Sequence, residues 1–157
     1  MTILRRADQE ESSPMEGSTS LMMAGASTGA AMATVGDLTL QPGVRSGYHL
    51  HPNTEEAIFV VEGELEFRVG SSRLRASTGD CVLAPEGIGH GLENVGDSPA
   101  RLITIYPTAE PAREALDDVE YTDGPPGPTV YVRSDNEPYE FMAGIPRYDM
   151  VGDFLGA

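Results

Sequence analysis

The stretch "GVRSGYHLHPNTEEAIFVVEG" occupies residues 43–63 and places two of the chain's three histidines one residue apart. In an extended strand the side chains at positions i and i+2 point to the same face, so His49 and His51 share a face and Leu50 points away. Two adjacent imidazoles on an inward face pack poorly, but a neutral imidazole nitrogen is a good transition-metal ligand. The pattern therefore predicts a metal site on a β-strand.

Carboxylates that could complete such a site follow immediately in the sequence. Glu55 and Glu56 precede an apolar run, and strand alternation allows only one of them to face the histidines. Alternation alone leaves the choice between them open. The third histidine, His90, lies in "GDCVLAPEGIGHGLEN", residues 79–94, where glycine and proline mark turns around short apolar runs.

Composition sets limits on the class of protein. A chain of 157 residues is long enough for one domain with a proper core. The formal net charge of −15 disfavours binding to nucleic acid or to anionic membranes. The single cysteine, Cys81, excludes an intrachain disulfide. Apolar runs stay far below the roughly 20 residues that a membrane span needs, and no signal-peptide pattern is present. We therefore expect a cytoplasmic protein.

Three segments are expected along the chain. Residues 1–20 are polar without periodicity and predict a flexible N-terminal arm. Residues 21–107 are expected to form an antiparallel all-β sandwich or barrel, because short apolar or alternating runs punctuated by Gly, Pro, Asn and Asp begin at Asp37. Residues 21–36 could form an early strand or a packed loop. Residues 108–157 form an acidic extension with aromatic residues, which we expect to pack on the barrel or on a partner subunit. The stretch "PTAEPAREALDD", residues 107–118, predicts a short helix.

The spacing of these residues resembles the two sequence motifs of the cupin family. The first motif is matched by Gly43-x5-His49-x-His51-x4-Glu56-x6-Gly63, and the second by Gly79-x5-Pro85-x-Gly87-x2-His90-x3-Asn94. Every defining position of both motifs is filled, and together they use all three histidines of the chain. The resemblance covers about residues 37–107 and excludes both ends of the chain.

The resemblance implies a cupin-type jelly-roll β-barrel with a metal held inside it. The implied ligands are His49, His51, Glu56 and His90, because Glu56 rather than Glu55 stands at the family's carboxylate position. Three imidazoles and one carboxylate suit one divalent transition metal (Fe, Mn, Ni, Zn or Co) and leave coordination positions open for a substrate or O₂. Asn94 is expected to close a turn or to form hydrogen bonds with backbone groups rather than to bind the metal.

The family performs many unrelated functions, so the function must be argued from the site. Gln41 and Arg45 share the parity of His49 and are expected at the mouth of the barrel, where Arg45 would hold an anionic oxygen or form a salt bridge at the rim. Tyr106 ends the last strand of the barrel and is a third candidate. The expected interior is apolar, which suits an aromatic or polyketide-like substrate better than a sugar phosphate. Its predicted lining residues are Ile58, Val60, Leu92 and either Leu83 or Val82.

These features predict a metal-dependent enzyme of secondary metabolism that acts on a small metal-chelating substrate. Cyclase, isomerase, lyase and dioxygenase chemistry all remain open. The alternative is a non-catalytic cupin that binds a metal and a small molecule. Small barrels of this family often pair, and the extension contains aromatic residues that need a surface to cover, so we also expect a homodimer. This aromatic set is Tyr139, Phe141, Tyr148 and Phe154.

Overall fold

The computed structural model describes residues 3–124, 130–131 and 137–150. Two 3₁₀ helices, Arg6–Asp8 and Ala26–Thr28, are the only helical segments in this part of the chain. The strands, numbered in chain order, are β1 (Glu11–Ser12), β2 (Ser18–Ala24), β3 (Thr34–Leu40), β4 (His49–Leu50), β5 (Glu56–Glu62), β6 (Glu64–Val69), β7 (Ser72–Ser77), β8 (Cys81–Ala84), β9 (His90–Asn94), β10 (Ala100–Tyr106), β11 (Glu114–Ala115), β12 (Thr122–Asp123), β13 (Val130–Tyr131), β14 (Tyr139–Met142) and β15 (Ile145–Arg147). The all-β prediction is confirmed.

Two sheets pack against each other. One has the order β1-β2-β3-β10-β5-β8-β13, and the other has the order β11-β4-β9-β6-β7-β12. Their inward side chains form one core, in which Val60 and Leu102 of the first sheet meet Leu65 and Phe67 of the second. This arrangement of antiparallel strands in two facing sheets is a jelly roll.

Alternation in β5 determines which carboxylate faces the interior. Glu56, Ile58 and Val60 are buried, whereas Ala57 and Phe59 are only partly buried on the opposite face. The register therefore turns Glu56 inward. Strand β10 follows the same rule, and Leu102, Thr104 and Tyr106 share its inward parity.

The chain passes from the first sheet to the second at Gly63, between β5 and β6. Gly63 has a positive φ of 100°, a conformation that glycine adopts without steric cost. A Cβ at this position would lie 2.7 Å from Cβ and 2.9 Å from Cα of Ala100. The glycine therefore allows the turn to approach the start of β10 closely.

The N-terminal segment differs from the expected flexible arm of residues 1–20. Strand β2 begins at Ser18 and pairs with β3, and β1 pairs with β2. Met15 packs against the core. Arg6 donates to the buried carboxylate of Asp37 at 2.9 Å. The sheet therefore begins before residue 21. The sequence did not predict this because strand pairing and these contacts do not require an alternating pattern of apolar residues.

The first part of the C-terminal extension lies along the second sheet. Strand β11 pairs antiparallel with β4, and β12 pairs parallel with β7. Residues 107–118 contain bends, irregular segments and the short strand β11 but no helix, so the predicted short helix is wrong. Tyr148 and Met150 pack against Cys81 and Leu83. Phe141 and Phe154 of the predicted aromatic set lie outside the residues whose side chains are described.

Across the described ranges, the structure contains no helix long and apolar enough to cross a membrane.

Candidate metal centre

Four side chains from both motifs converge at one end of the space between the sheets. His49 in β4 pairs with His90 at the start of β9, His51 directly follows β4, and Glu56 begins β5. Each residue offers one ligand atom, and these atoms lie within 4.8 Å of one another. The residues are only 3–9% exposed. The structure thus brings together all four residues of the implied ligand set.

Backbone carbonyl groups orient the three imidazole rings. Nδ1 of His49 lies 2.9 Å from the Gly47 carbonyl oxygen, and Nδ1 of His90 lies 2.9 Å from that of Ile88. Nδ1 of His51 contacts the Ala112 carbonyl oxygen in the C-terminal extension. A carbonyl accepts only from a protonated Nδ1, so a neutral ring keeps the lone pair of Nε2 free for a metal, whereas a doubly protonated ring can also donate from Nε2 to Glu56. Such contacts to the second ring nitrogen are typical of metal-ligating histidines.

Glu56 lies at the centre of the cluster and receives several contacts. Its Oε2 lies 2.8 Å from Nε2 of His90 and 3.2 Å from Nε2 of His51. The hydroxyl of Tyr106 donates to Oε1 at 2.7 Å. Burial alone raises the pKa of Glu56, but hydrogen bonds from these three side chains outweigh it and lower the pKa to about 2. Glu56 is therefore a carboxylate at neutral pH.

The histidines differ in their preference for protonation. Burial, with the charge of His90 and a smaller contribution from Arg113, lowers the pKa of His49 to about 4. Burial also lowers the pKa of His51, but the hydrogen bonds to Glu56 and Ala112 outweigh it and raise the pKa overall. Burial raises the pKa of Tyr106, and the nearby Glu56 carboxylate raises it further, so Tyr106 stays a neutral donor.

The cluster fits a transition metal in chemistry and in size. Three imidazole nitrogens and one carboxylate oxygen are a common donor set for divalent first-row metals. Nitrogen and oxygen ligands bind such ions at about 2.0–2.2 Å, so two ligand atoms of one ion lie at most about 4.4 Å apart. Ligand atoms within 4.8 Å of one another need only small adjustments to meet that limit.

A cavity of about 340 Å³ opens from the cluster. Its apolar walls include Ile58 and Leu92, as the sequence predicts, and also Leu38 and Met15. Val60 and Val82 lie in the buried core instead. Among the described residues that line the cavity, Glu56 is the only carboxylate. The cavity therefore combines a polar cluster with a largely apolar wall.

Of the three further candidates, only Tyr106 lies at the cluster. Arg45 is directed away from the cavity, where its Nη2 donates to Asp118 at 2.6 Å on the exposed surface. Gln41 is exposed in the turn before the first motif and does not line the cavity. The inward parity expected for both residues fails because the chain forms no regular strand between Leu40 and His49.

The other motif positions have structural roles. Asn94 is fully buried, and its side-chain nitrogen donates to the Leu40 and Ser98 carbonyl oxygens at 2.9 Å. This confirms the expected bonding to backbone groups. Glu55 lines an apolar groove on the outer face of the first sheet.

Among the lining residues that sequence reasoning missed, three come from the two ends of the chain, outside the predicted barrel. Pro14 and Met15 come from the expected arm, and Arg113 comes from the extension. None of them stands in a periodic run or in a motif, so their own neighbourhood in the sequence contains no signal for the site. The only indirect sign that these residues have a role is their type, because Pro14 and Met15 are apolar residues in a polar segment and Arg113 is a basic residue in an acidic one.

Comparison with known proteins agrees with this architecture. A family model described as "Cupin domain" matches residues 36–106. The tetracenomycin polyketide synthase protein TcmJ of Streptomyces glaucescens is 31% identical over 87 residues, which cover 55% of this chain and 58% of TcmJ. The chain thus spans little more than half the length of that relative.

The solved structures that resemble the fold include the following two. The polyketide cyclase RemF of Streptomyces resistomycificus has a TM-score of 0.65 over 76% of this chain and 88% of its own, and at 18% identity it shows the fold alone. The oxalate decarboxylase of Bacillus subtilis, a protein with Mn(II) centres, has a TM-score of 0.63 at 26% identity, over 70% of this chain and 30% of its own.

Proposed function

Residues 36–106 form a cupin domain, and from that premise we propose that the protein is a metal-dependent enzyme acting on a small, metal-chelating organic substrate. The observation that carries the proposal is the buried convergence of His49, His51, Glu56 and His90 at one end of a cavity. The substrate would be aromatic or polyketide-like, because the remaining wall of the cavity is largely apolar.

The proposed ligands are the Nε2 atoms of the three histidines and the carboxylate of Glu56. A bound divalent metal would supply Lewis-acid activation of a substrate oxygen or reactivity towards O₂. Tyr106 holds Glu56 in place through its 2.7 Å hydrogen bond and, after His51 and His90, contributes to keeping the carboxylate ionised. Ile58, Leu92 and Leu38 would pack against the apolar part of the substrate and exclude water from it.

The kind of reaction is proposed from the relatives together with the cavity. TcmJ is a polyketide synthase protein, so its similarity favours a substrate of that class and a place in secondary metabolism. Cyclisation is the leading reaction. Isomerase, lyase and dioxygenase chemistry need the same four residues and remain alternatives.

One observation favours a second candidate function, a non-catalytic protein that binds a metal and a small molecule. Glu56 is the only carboxylate in the described cavity lining, and the Tyr106 hydroxyl already donates to it. The described site therefore offers no further carboxylate as a general base. A binding protein needs no such group.

The experiment is a turnover assay with defined metal content. Full-length protein is reconstituted separately with Fe, Mn, Ni, Co and Zn, and each form is incubated with aromatic 1,3-diketones and linear aromatic polyketones, with and without O₂. Mass spectrometry follows the products, and Glu55→Gln and Glu56→Gln serve as the control and the ligand variant.

The proposal predicts several turnovers per chain with one metal form, retained in Glu55→Gln and lost in Glu56→Gln. Products that form without O₂ and keep the substrate's mass or lose water would indicate cyclisation. Products that contain labelled oxygen from ¹⁸O₂ would indicate a dioxygenase. Tight binding of these compounds without any product would contradict the enzyme and favour the binding protein.

We further propose that the protein acts in the cytoplasm as a homodimer, without nucleic-acid or membrane partners. The support is the strongly acidic composition together with an exposed apolar face on the first sheet.

A further inference from the structure

Arg113 lines the same cavity as the four-residue cluster, although it belongs to the C-terminal extension and to neither motif. The side chain is exposed, whereas the cluster is buried, so Arg113 lies at the open end of the cavity. Among the described residues, no hydrogen bond or ion pair joins its guanidinium to another group. Seven other arginines in this part of the chain pair with carboxylates.

Pairing is the rule for arginine in this protein because acidic residues outnumber basic ones by 25 to 10. An unpaired guanidinium beside a cavity is therefore unusual here. The cavity lining offers it no partner either, because Glu56 is the only described carboxylate there and already contacts His51, His90 and Tyr106. The natural partner for Arg113 is an anionic group that arrives with a ligand.

The backbone on both sides of Arg113 is held against the cluster. On one side, the Ala112 amide donates to Oδ1 of Asn53 at 2.9 Å, and the Ala112 carbonyl contacts Nδ1 of His51. On the other side, the Leu116 amide donates to the Tyr48 carbonyl oxygen at 2.9 Å. The backbone of Arg113 is therefore held in place next to His51, a proposed metal ligand. This reduces the entropic cost of binding an anion with the guanidinium.

The charge of the site agrees with an anionic ligand. Three neutral imidazoles, one carboxylate and a divalent ion sum to a net charge of about +1, and Arg113 raises the sum to about +2. An organic anion that chelates the ion would lower this charge. A guanidinium can hold a second oxygen of the same ligand with two parallel hydrogen bonds, which an ammonium group cannot reproduce.

We propose that Arg113 binds an anionic oxygen of the substrate while another oxygen of the same molecule binds at the His49, His51, Glu56 and His90 cluster. The substrate class is thus an organic anion with two nearby oxygens, such as a carboxylate or an enolate beside a carbonyl. This inference rests on the proposed function, because the cluster must hold a metal. It assigns to Arg113 the anion-binding role that the sequence suggested for Arg45.

The test measures anion binding rather than turnover. Full-length protein loaded with Co(II) is titrated with oxalate, a chelating dianion, and with oxamide, its neutral diamide. The visible absorption bands of Co(II) report binding. The variants are Arg113→Gln and Arg113→Lys, with Arg45→Gln as a matched control, because Arg45 is also an exposed arginine but pairs with Asp118.

Arg113→Gln should weaken oxalate binding about tenfold to a hundredfold while Co(II) content and melting temperature stay unchanged. Arg113→Lys should show an intermediate loss, and Arg45→Gln a change within about threefold. Oxamide binding should differ little between wild type and Arg113→Gln. Oxalate affinity that is unchanged in Arg113→Gln would overturn the role of Arg113. An equal loss of affinity for oxalate and for oxamide in Arg113→Gln, or a lower Co(II) content of this variant, would also overturn it.

Failure of the proposed function would look different in the same experiment. Wild-type protein that takes up no Co(II) would contradict the metal site and, with it, this inference. Normal Co(II) loading together with an oxalate affinity that does not change in Arg113→Gln would contradict the role of Arg113 but not the metal site.

Discussion

Glu56 is the residue on which the proposed metal centre depends most. It supplies the only negative charge in the described cavity lining, and three side chains bond to it. Its neighbour Glu55 lies just before β5, is partly buried and lines the outer groove instead of the cavity. The two carboxylates are adjacent in sequence, so they form a matched pair for mutation.

Glu56→Gln should reduce the affinity for a divalent metal by at least about tenfold to a hundredfold, because the neutral amide removes the charged ligand. Glu55→Gln should change the affinity by less than about twofold, since its side chain does not face the cluster. Competition with a chromophoric chelator gives both values. Equal losses in the two variants, or a larger loss in Glu55→Gln, would show that the cluster does not act as proposed.

The individual residues also show what the sequence could and could not predict. The spacing of His49, His51 and His90 was sufficient to bring them into one site, because motif positions and strand parity both constrain them. Arg113 was beyond prediction because it stands in an extended, proline-containing segment. Long-range contacts bring that segment to the cavity, among them contacts with Asn53, His51 and Tyr48 and the pairing of β11 with β4. Tyr106 was a candidate from its position at the end of β10, and its bond to Glu56 came from the structure.

At the scale of the elements, Gly63 shows how a motif glycine supports the fold. It combines a positive φ of 100° with the close approach to Ala100. Gly43, in the same motif, also has a positive φ, of 76°, but a Cβ there would meet no atom within 4 Å. Comparing substitutions at Gly63 and Gly43 therefore separates the cost of backbone strain from the cost of steric overlap.

Gly63→Ala should destabilise the fold by about 2–5 kcal/mol, the sum of left-handed strain and overpacking against Ala100. Gly43→Ala should cost only about 1–2 kcal/mol, because strain alone acts there. Urea unfolding followed by circular dichroism measures both costs. Similar costs for the two variants would contradict the close packing between the β5–β6 turn and β10.

The Asp37 carboxylate joins the N-terminal segment to the first sheet. Its side chain is 2% exposed, and it accepts from Arg101 at 2.7 and 3.0 Å and from Arg6 at 2.9 Å. Hydrogen bonds from Arg101 and Arg6 outweigh burial and lower the pKa of Asp37. A carboxylate with a lowered folded-state pKa contributes stability above its unfolded pKa of about 3.9, and this contribution is lost as the pH falls further.

Asp37→Asn should therefore destabilise the protein by about 1–3 kcal/mol at pH 7, and the difference from wild type should shrink below about pH 4. Asp123→Asn is the matched control, because Asp123 pairs with Arg73 while its side chain is 81% exposed. That substitution should cost less than about 1 kcal/mol. A difference between wild type and Asp37→Asn that persists undiminished at pH 3 would contradict the ionic role of Asp37.

The elements were predictable where a pattern repeats. Strands β5 and β10 alternate clearly, and the turn at Gly63 is marked by its residue type. Strand β2 and the extended segment around β11 depend instead on backbone pairing with neighbours that are distant in sequence. Neither an alternating pattern nor a turn signal identifies such pairing in advance.

At the scale of the whole molecule, the outer face of the first sheet is the surface that suits a partner. Apolar side chains of β5 and β10, including Phe59, Ile103 and Ile105, line a groove there, and Ile105 is 41% exposed. Met150 also lines this groove, and together with Tyr148 it packs against Cys81 and Leu83. A second copy of the chain could bury the face.

We predict a homodimer at micromolar concentration, and Ile105→Glu should convert it to a monomer because a charge would be buried in the interface. Val119→Glu is the control, since Val119 is 45% exposed in the extension, away from this face. Size-exclusion chromatography with light scattering gives the mass of each variant. A monomeric wild type, or a dimer that survives Ile105→Glu, would contradict this interface.

The fold as a whole was predictable because both motifs fix turns and strand order together. The match of residues 36–106 to the cupin domain agrees with that prediction. The cavity was less predictable, since Met15 and Arg113, which lie outside the motifs, also line its wall. Segments that close a site from the ends of a chain have no fixed spacing relative to its motifs.

The most direct test of the central claim is the metal content of the full-length protein, purified without an affinity tag. After reconstitution with Fe, Mn, Ni, Co or Zn and removal of excess ion, elemental analysis should give about one ion per chain for at least one metal. The double variant His49→Ala/His90→Ala should bind far less. Wild-type stoichiometry well below one with all five metals, or equal metal content in the double variant, would contradict a metal centre formed by His49, His51, Glu56 and His90.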